Sequence, residues 1–154
     1  MKKIAWGLAL FFYCTSAFLF YKFVYYIEDI PSIRVNNRIL IELSKNERTF
    51  ILMEMNSFLS DIKLISNGIV EEDYDQIVAT STIGSEIIER VSPALMRKLP
   101  LAFNKAGFAM QNEFRGITRL AKEEASFDEI LNKYNLLLRK CVECHVKYKL
   151  LEPF

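Results

Sequence analysis

Residues 126–150, SFDEILNKYNLLLRKCVECHVKYKL, decide the fold of this chain. Ser126 and Glu129 form an S-x-x-E capping box, a pattern that starts an α-helix by reciprocal hydrogen bonds at its N-terminus. We expect one helix from this box to about Leu150. The sequence before it is also nearly free of strand signals. The capping box and the scarcity of strand signals together predict an all-α fold.

Three more helical stretches precede it, at about 38–66, 72–90 and 104–124. Each carries apolar residues at helical spacing: Ile51, Met55, Leu59 and Ile62 on the first, Ile77, Thr80, Gly84, Ile87 and Val91 on the second, and Met110, Phe114, Ile117 and Ala121 on the third. Asn67-Gly68 is expected to end the first stretch and Ser92-Pro93 the second. Four amphipathic helices joined by short loops predict a four-helix bundle.

Length and composition limit the class of protein. The chain has 154 residues, which is enough for one domain. Half of the residues (51%) are hydrophobic, 25% are charged, and the net charge is +1. These values exclude a disordered chain, a collagen-like chain and a generally basic nucleic-acid binder. We therefore expect no nucleic-acid partner.

The apolar residues are concentrated at the N-terminus. Between Ile4 and Tyr21 lie 18 consecutive uncharged residues, a helix of about 27 Å against a hydrocarbon core of about 30 Å. We expect a transmembrane anchor at 1–28, a linker at 29–37 and the bundle at 38–154. Lys2 and Lys3 would stay in the cytoplasm by the positive-inside rule, which exports the rest of the chain.

A cleaved signal peptide is the competing interpretation of this segment. Its one candidate cleavage site is Thr15-Ser16-Ala17, and cutting there would leave an apolar N-terminal tail. An uncleaved anchor is favoured, with Lys22 reaching the interface and an aromatic belt at Tyr21, Tyr25 and Tyr26. Cys14 then lies in the middle of the span as an apolar side chain.

The chemical signal of the chain is Cys141-Val142-Glu143-Cys144-His145. C-x-x-C-H is the attachment sequence of c-type haem, in which both thiols form thioethers and the histidine binds iron. All three groups share one helix face, because Cys141 and His145 are four residues apart. A zinc site would need four ligands, a thioredoxin-type pair needs an α/β setting, and an incidental pair of packed thiols is the remaining alternative.

This C-terminal motif on the last helix of a bundle resembles the class II c-type cytochromes, which include cytochrome c-prime and its low-spin relatives. In that family an aromatic residue and an arginine follow the histidine, and here Tyr148 and Lys149 hold those places. Arg48, Leu52 and Asn67-Gly68 match the family's first helix in order and approximate spacing. The resemblance covers about residues 38–150.

The resemblance implies one covalent haem c, with Cys141 and Cys144 as thioether residues and His145 as the proximal iron ligand. It places Leu52 on the distal face of the haem and assigns Lys149 to a propionate or to tuning of the proximal side. The chain has a single histidine, which excludes a second imidazole ligand. Met55, one turn beyond Leu52, is the first candidate for a sixth ligand and Met53 the second, although both also fit core packing.

Other residues have plainer interpretations. Met96 and Met110 are assigned to core or surface, and Phe103, Phe108 and Phe114 to the bundle core rather than to a haem cage. Gly84 either lets a backbone approach the porphyrin closely or is a tolerated glycine. Four basic residues flank the motif as a solvated face that can also serve as a docking rim for an acidic partner, namely Arg139, Lys140, Lys147 and Lys149.

The sequence thus predicts a membrane-anchored monohaem c-type cytochrome that carries single electrons and is not an enzyme. It would lie in the bacterial inner membrane with its haem domain on the periplasmic side, as a tethered carrier or as a subunit of a respiratory or photosynthetic complex. A five-coordinate haem protein that binds NO or CO is the first alternative. A non-haem structural subunit of a membrane complex is the second.

Overall fold

A computed structural model of the chain describes residues 2–26, 34–35 and 37–151. The chain divides into two units, Met1–Pro31 and Ser32–Phe154. Most of the linker expected at 29–37 lies outside the described residues. The same holds for the side chains of Lys2, Lys3, Tyr25 and Tyr26.

The first unit contains helix α1, Lys2–Tyr26. Its described side chains are largely exposed and apolar, with Trp6 at 78% exposure, and Cys14 is a free, exposed thiol. The candidate cleavage site lies within this helix, where the Thr15 hydroxyl donates to the Phe11 carbonyl at 3.0 Å. No helix in the part of the chain that the structure describes is long and apolar enough to cross a membrane.

The second unit is predominantly helical, which confirms the all-α prediction. Its helices are α2 (Lys45–Val70), α3 (Tyr74–Ser85), a 3-10 helix (Ile87–Arg90), α4 (Pro93–Lys98), α5 (Leu101–Lys122) and α6 (Phe127–Lys147). Three short strands accompany them: β1 (Arg34–Val35), β2 (Arg38–Glu42) and β3 (Tyr148–Leu151).

Capping residues set the helix boundaries. The box at Ser126 and Glu129 is present as predicted, and a second box, Ser44 with Glu47, starts α2 seven residues later than expected. The prediction that Asn67-Gly68 ends this helix is wrong, because the helix continues to Val70.

Ser92 does not simply end the second stretch. Its hydroxyl accepts from the Leu95 amide and starts α4, with Pro93 in the first turn. The second stretch is also divided, because α3 stops at Ser85 and the 3-10 helix follows.

The sheet corrects the prediction that the chain lacks strands. Its order is β1-β2-β3, with β1 antiparallel to β2 and β2 parallel to β3. Ile39 lies opposite Tyr148 and Glu42 opposite Leu151. The segment at 38–42 is therefore a strand rather than the start of a helix, and α6 ends at Lys147 instead of about Leu150. The sheet joins the residue run before α2 to the run after α6.

The helices enclose two apolar clusters. The larger is built on the predicted stripes and includes Phe58, Ile65, Ile77, Phe114, Ile117, Ile130 and Leu137. The smaller lies next to the sheet and includes Ile41, Leu43, Ile51, Leu95, Leu99 and Tyr148. Gly84 serves the larger cluster, because a Cβ atom there would lie 2.5 Å from the Phe114 ring. Its close approach is thus to a core phenylalanine.

The packing of the helices leaves one side open. Extensive contacts join α2 to α3, α3 to α5, and α5 to α6, whereas α2 and α6 meet at few points. The space between these last two helices leads into the cavity that holds the motif.

Candidate cofactor cavity

An apolar cavity of about 510 Å³ opens in the second unit. Its walls come from α2, the 3-10 helix, α5 and α6, together with Val91 and Leu99 from the connecting residues. Typical members are Ile51, Phe58, Ile62, Ile87, Leu99 and Leu138. This volume lies within the range of pockets that bind small organic ligands and cofactors. The cavity can therefore bury a large apolar molecule.

The motif lies on α6, and Cys141, Cys144 and His145 all line the cavity. Both thiols are free and half-buried, while His145 is exposed at the rim. The helix explains the placement, since residues three and four apart share a face. Across the described residues, no group of three or more His, Cys, Asp or Glu side chains is placed to hold a metal ion.

The surroundings of the two thiols lower their reactivity. Burial raises the pKa of both Cys141 and Cys144 above their usual range. A thiol with a raised pKa is mostly protonated at neutral pH, and it is the thiolate that reacts as a nucleophile or binds zinc. This environment is unlike that of a thioredoxin-type pair, whose reactivity depends on a lowered pKa.

The wall on α2 differs from the expected arrangement around Leu52. Met55 lines the cavity, whereas Leu52 and Met53 do not and are 38% and 64% exposed. The residue of this group that faces the cavity is therefore Met55. Met53, about 100° around the helix from Leu52 and about 160° from Met55, points to the outside.

Met110 on α5 is a cavity residue that the sequence interpretation left in the core or on the surface. It lines the cavity, and its Sδ lies 4.0 Å from the Cys141 Sγ. Its helical spacing with Phe114 placed it on an inward face, but the sequence did not indicate that α5 reaches the motif. Met96 is absent from the cavity lining.

The aromatic residues divide between core and cavity. Phe114 lies in the core and stacks on Phe58 with ring centroids 5.7 Å apart, whereas Phe108 is 44% exposed. Phe103 lines the cavity and contacts Tyr148 edge to face at 5.1 Å. The Tyr148 hydroxyl is buried and has no hydrogen-bond partner within the described part of the chain.

Few polar side chains reach the cavity. Lys140 lines it and places its Nζ 3.1 Å from a Glu143 carboxylate oxygen. Lys149 is exposed on β3 and does not line the cavity. On the opposite wall, Glu54 is held by Arg90 at 3.1 Å.

The cavity thus brings the predicted thiols, the single imidazole and one of the two candidate thioethers to one apolar space. Comparison with protein-family models, with curated proteins and with solved structures finds no match to this chain.

Proposed function

We propose that the chain is a monohaem c-type cytochrome that transfers single electrons. One observation carries the proposal: both thiols and the imidazole of the C-x-x-C-H sequence line an apolar cavity of about 510 Å³. A porphyrin is large and apolar, so its burial requires such a cavity. The sequence motif and the apolar cavity are independent observations, and each supports the proposal.

In this proposal, Cys141 and Cys144 hold haem c by thioethers and His145 is the proximal ligand. The bound haem supplies an iron that cycles between Fe(III) and Fe(II). The chain itself keeps the two thiols and the imidazole in fixed positions on one helix and excludes water with its apolar walls. Limited water and a fixed ligand set reduce the rearrangement that accompanies a change of charge. No substrate bond is made or broken.

Met55 is the proposed sixth ligand, because it is the methionine of α2 that lines the cavity. A thioether ligand raises the reduction potential relative to histidine. The sulfur of Met110 lies beside Cys141, one of the two proposed thioether residues. We therefore assign Met110 to packing against that residue. Met55→Leu should convert a low-spin spectrum to a high-spin one, and Met53→Leu is the matched control that should leave it unchanged.

We further propose that α2, α3, α5 and α6 form a four-helix bundle behind a single membrane anchor. The anchor rests on the uncharged run Ile4–Tyr21 and on the exposed apolar side chains of α1. Lys2 and Lys3 would orient the chain in a bacterial inner membrane, with the haem domain in the periplasm. There it would act as a tethered carrier or as a subunit of a respiratory or photosynthetic complex.

Haem staining after denaturing electrophoresis tests the central proposal, because only covalent haem survives denaturation. The full chain should stain, and Cys141→Ala combined with Cys144→Ala should not. Cys14→Ala is the matched control, since it removes a cysteine outside the motif and should retain the stain. An unstained full chain, produced together with a haem-attachment system, would leave the non-haem structural subunit as the better interpretation.

A gas-binding haem protein is the second candidate, in which Met55 only packs and the iron stays five-coordinate. The absorption spectrum of the reduced protein with and without CO separates the two functions. A six-coordinate carrier should show a low-spin spectrum that changes slowly or little with CO. A high-spin spectrum that shifts at once on addition of CO would overturn the carrier function.

A further inference from the structure

The open side of the second unit has a distinctive surface. Leu59 and Val142 line the mouth of the cavity, from α2 and α6 respectively, and are 66% and 62% exposed. Leu52 and Val146 extend this apolar strip along the same two helices, and Val146 is 63% exposed. We name these four residues the α2–α6 seam. Four large apolar side chains exposed together are typical of a contact surface.

The charges beside the α2–α6 seam are mainly positive, and the acidic exception on α6, Glu143, is paired with Lys140 at 3.1 Å. On α2, Lys45 and Arg48 precede Leu52 by seven and four residues, and Lys63 follows Leu59 by four, so all three share the face of the seam. On α6, Arg139 precedes Val142 by three residues and is exposed. Within the described contacts, Arg139 forms no ion pair.

The acidic residues of α2 lie on a different face. Glu47, Glu54 and Asp61 are spaced seven apart, which places them in one stripe. That stripe is turned toward other elements, since Glu47 pairs with Lys98 at 2.5 Å and Glu54 with Arg90 at 3.1 Å. The seam therefore keeps its positive charges without neighbouring carboxylates from α2.

Other acidic residues are concentrated at the far end of the helices. Tyr74 stacks on Phe127 at 4.5 Å and donates to the Ala125 carbonyl at 2.9 Å, which joins the loop before α3 to the loop before α6. These two loops and the adjoining turns carry Glu71, Glu72, Asp73, Asp75, Glu123, Glu124, Asp128 and Glu129. The near-neutral chain thus has separated regions of opposite charge.

We propose that the α2–α6 seam is the docking surface for a redox protein whose contact face is acidic around an apolar centre. The proposal rests on the proposed function, because the seam borders the cavity mouth and so offers a short route for an electron. Charge complementarity selects the partner: the positive rim attracts an acidic face and repels a second copy of the same basic rim. The exposed leucines and valines then provide the apolar contact.

The experiment uses the full haem-loaded chain in neutral detergent and measures second-order rates of oxidation by stopped flow. The probes are the hexacyanoferrate(III) anion and the tris(phenanthroline)cobalt(III) cation. Arg139→Glu should slow the reaction with the anion by about threefold or more at low ionic strength and accelerate the reaction with the cation. Opposite changes with the two probes would not arise from a mere loss of folding or a shifted potential.

Lys122→Glu is the matched control, because it makes the same charge change at an exposed position of α5, at the acidic end. It should change both rates by much less. An acidic blue-copper protein tests the apolar contact: Val146→Ser should slow its reaction about twofold or more, while the small complexes react at unchanged rates.

Each outcome decides between the proposals. A chain without covalent haem overturns both this proposal and the proposed function. A haem-loaded chain in which Arg139→Glu and Lys122→Glu behave alike overturns the docking surface alone, and the basic face then has another occupant such as anionic lipid. Self-association of the chain that Arg139→Glu abolishes, with unchanged electron exchange, overturns it in favour of an interface between copies.

Discussion

Gly84 has a role at the residue scale that can be measured directly. A Cβ atom at this position would lie 2.5 Å from the ring of Phe114, which is fully buried. Gly84→Ala should therefore destabilise the protein by about 1–3 kcal/mol, because overpacking outweighs the gain in helix propensity. Gly107→Ala is the control, since its Cβ would meet Ile88 at an ordinary 3.4 Å. Urea denaturation of both variants measures the difference, and equal stability would contradict the close packing of α3 on α5.

Asp61 is the second residue with an unusual environment. One of its carboxylate oxygens is buried without a hydrogen-bond partner in the described residues, and burial raises its pKa above 3.8, against a weaker lowering by Arg90. The contribution of Asp61 to the free energy of unfolding is therefore most favourable below about pH 3.8, where the carboxyl group is protonated in both the native and the unfolded state. That contribution is lost as the pH rises through the raised pKa. Asp61→Asn removes the titration.

We expect Asp61→Asn to stabilise the protein by about 1 kcal/mol or more at pH 7, because the neutral amide has no charge for burial to desolvate. The difference should disappear below pH 3.8. Denaturation curves at several pH values provide the measurement. Asp75→Asn, an exposed carboxylate in the first turn of α3, should change stability in the opposite direction by no more than about 1 kcal/mol. An Asp61→Asn protein that is less stable at pH 7 would show that the carboxylate has a stabilising partner.

At the scale of elements, the start of α2 is joined to α4 through Glu47. This carboxylate accepts from Lys98 and from the Ser44 cap, and these hydrogen bonds lower its pKa from 4.5 to about 2. A lowered carboxyl pKa contributes stability above pH 4.5 that is lost as the pH falls through about 2. Glu47→Gln should therefore lower stability at pH 7, and the difference from the parent chain should narrow between pH 4.5 and 2.

Glu129→Gln is the matched variant, because Glu129 belongs to the other capping box and forms no ion pair among the described contacts. Glutamine also serves in a capping box, so this change should have the smaller effect at pH 7. Thermal unfolding across pH 2–7 compares the two variants. Equal losses in both would mean that the pairing with Lys98 contributes no stability.

The elements also explain what the sequence could and could not reveal. The start of α6 was predictable because a capping box is a local pattern. The apolar stripe with Ile117 and Phe114 was predictable because helical periodicity is also local. The strands were not, since β2 and β3 have five and four residues and pair across more than a hundred positions of the chain. The sequence therefore predicts that the helix continues through Tyr148, whereas the structure pairs Tyr148 with Ile39.

The site was predictable to the same degree. Cys141, Cys144 and His145 follow from one short motif. The wall opposite them depends on how α2 is rotated, so the resemblance places Leu52 on the distal face although Met55, three residues further on, is the one that lines the cavity. Met110 was missed because its contact with Cys141 joins helices α5 and α6, and no local pattern records that contact.

For the whole molecule, the division into two units has a direct consequence. Every core residue that the structure describes as buried lies in the second unit, between Ile41 and Tyr148, whereas none of the described side chains of α1 is buried. A unit that has its own buried core can fold independently. Residues 32–154 should therefore fold without α1, because the removal of α1 breaks no contact between core residues.

We expect the 32–154 fragment, exported behind a cleavable signal, to unfold cooperatively and within about 1 kcal/mol of the full chain in the same neutral detergent. It should also stay dispersed without detergent, since it lacks the exposed Trp6, Phe11 and Phe12 of α1. Circular dichroism and analytical ultracentrifugation make the comparison. A fragment with native helix content but no cooperative transition would mean that α1 completes the core, because only a missing packing surface removes cooperativity while helices persist.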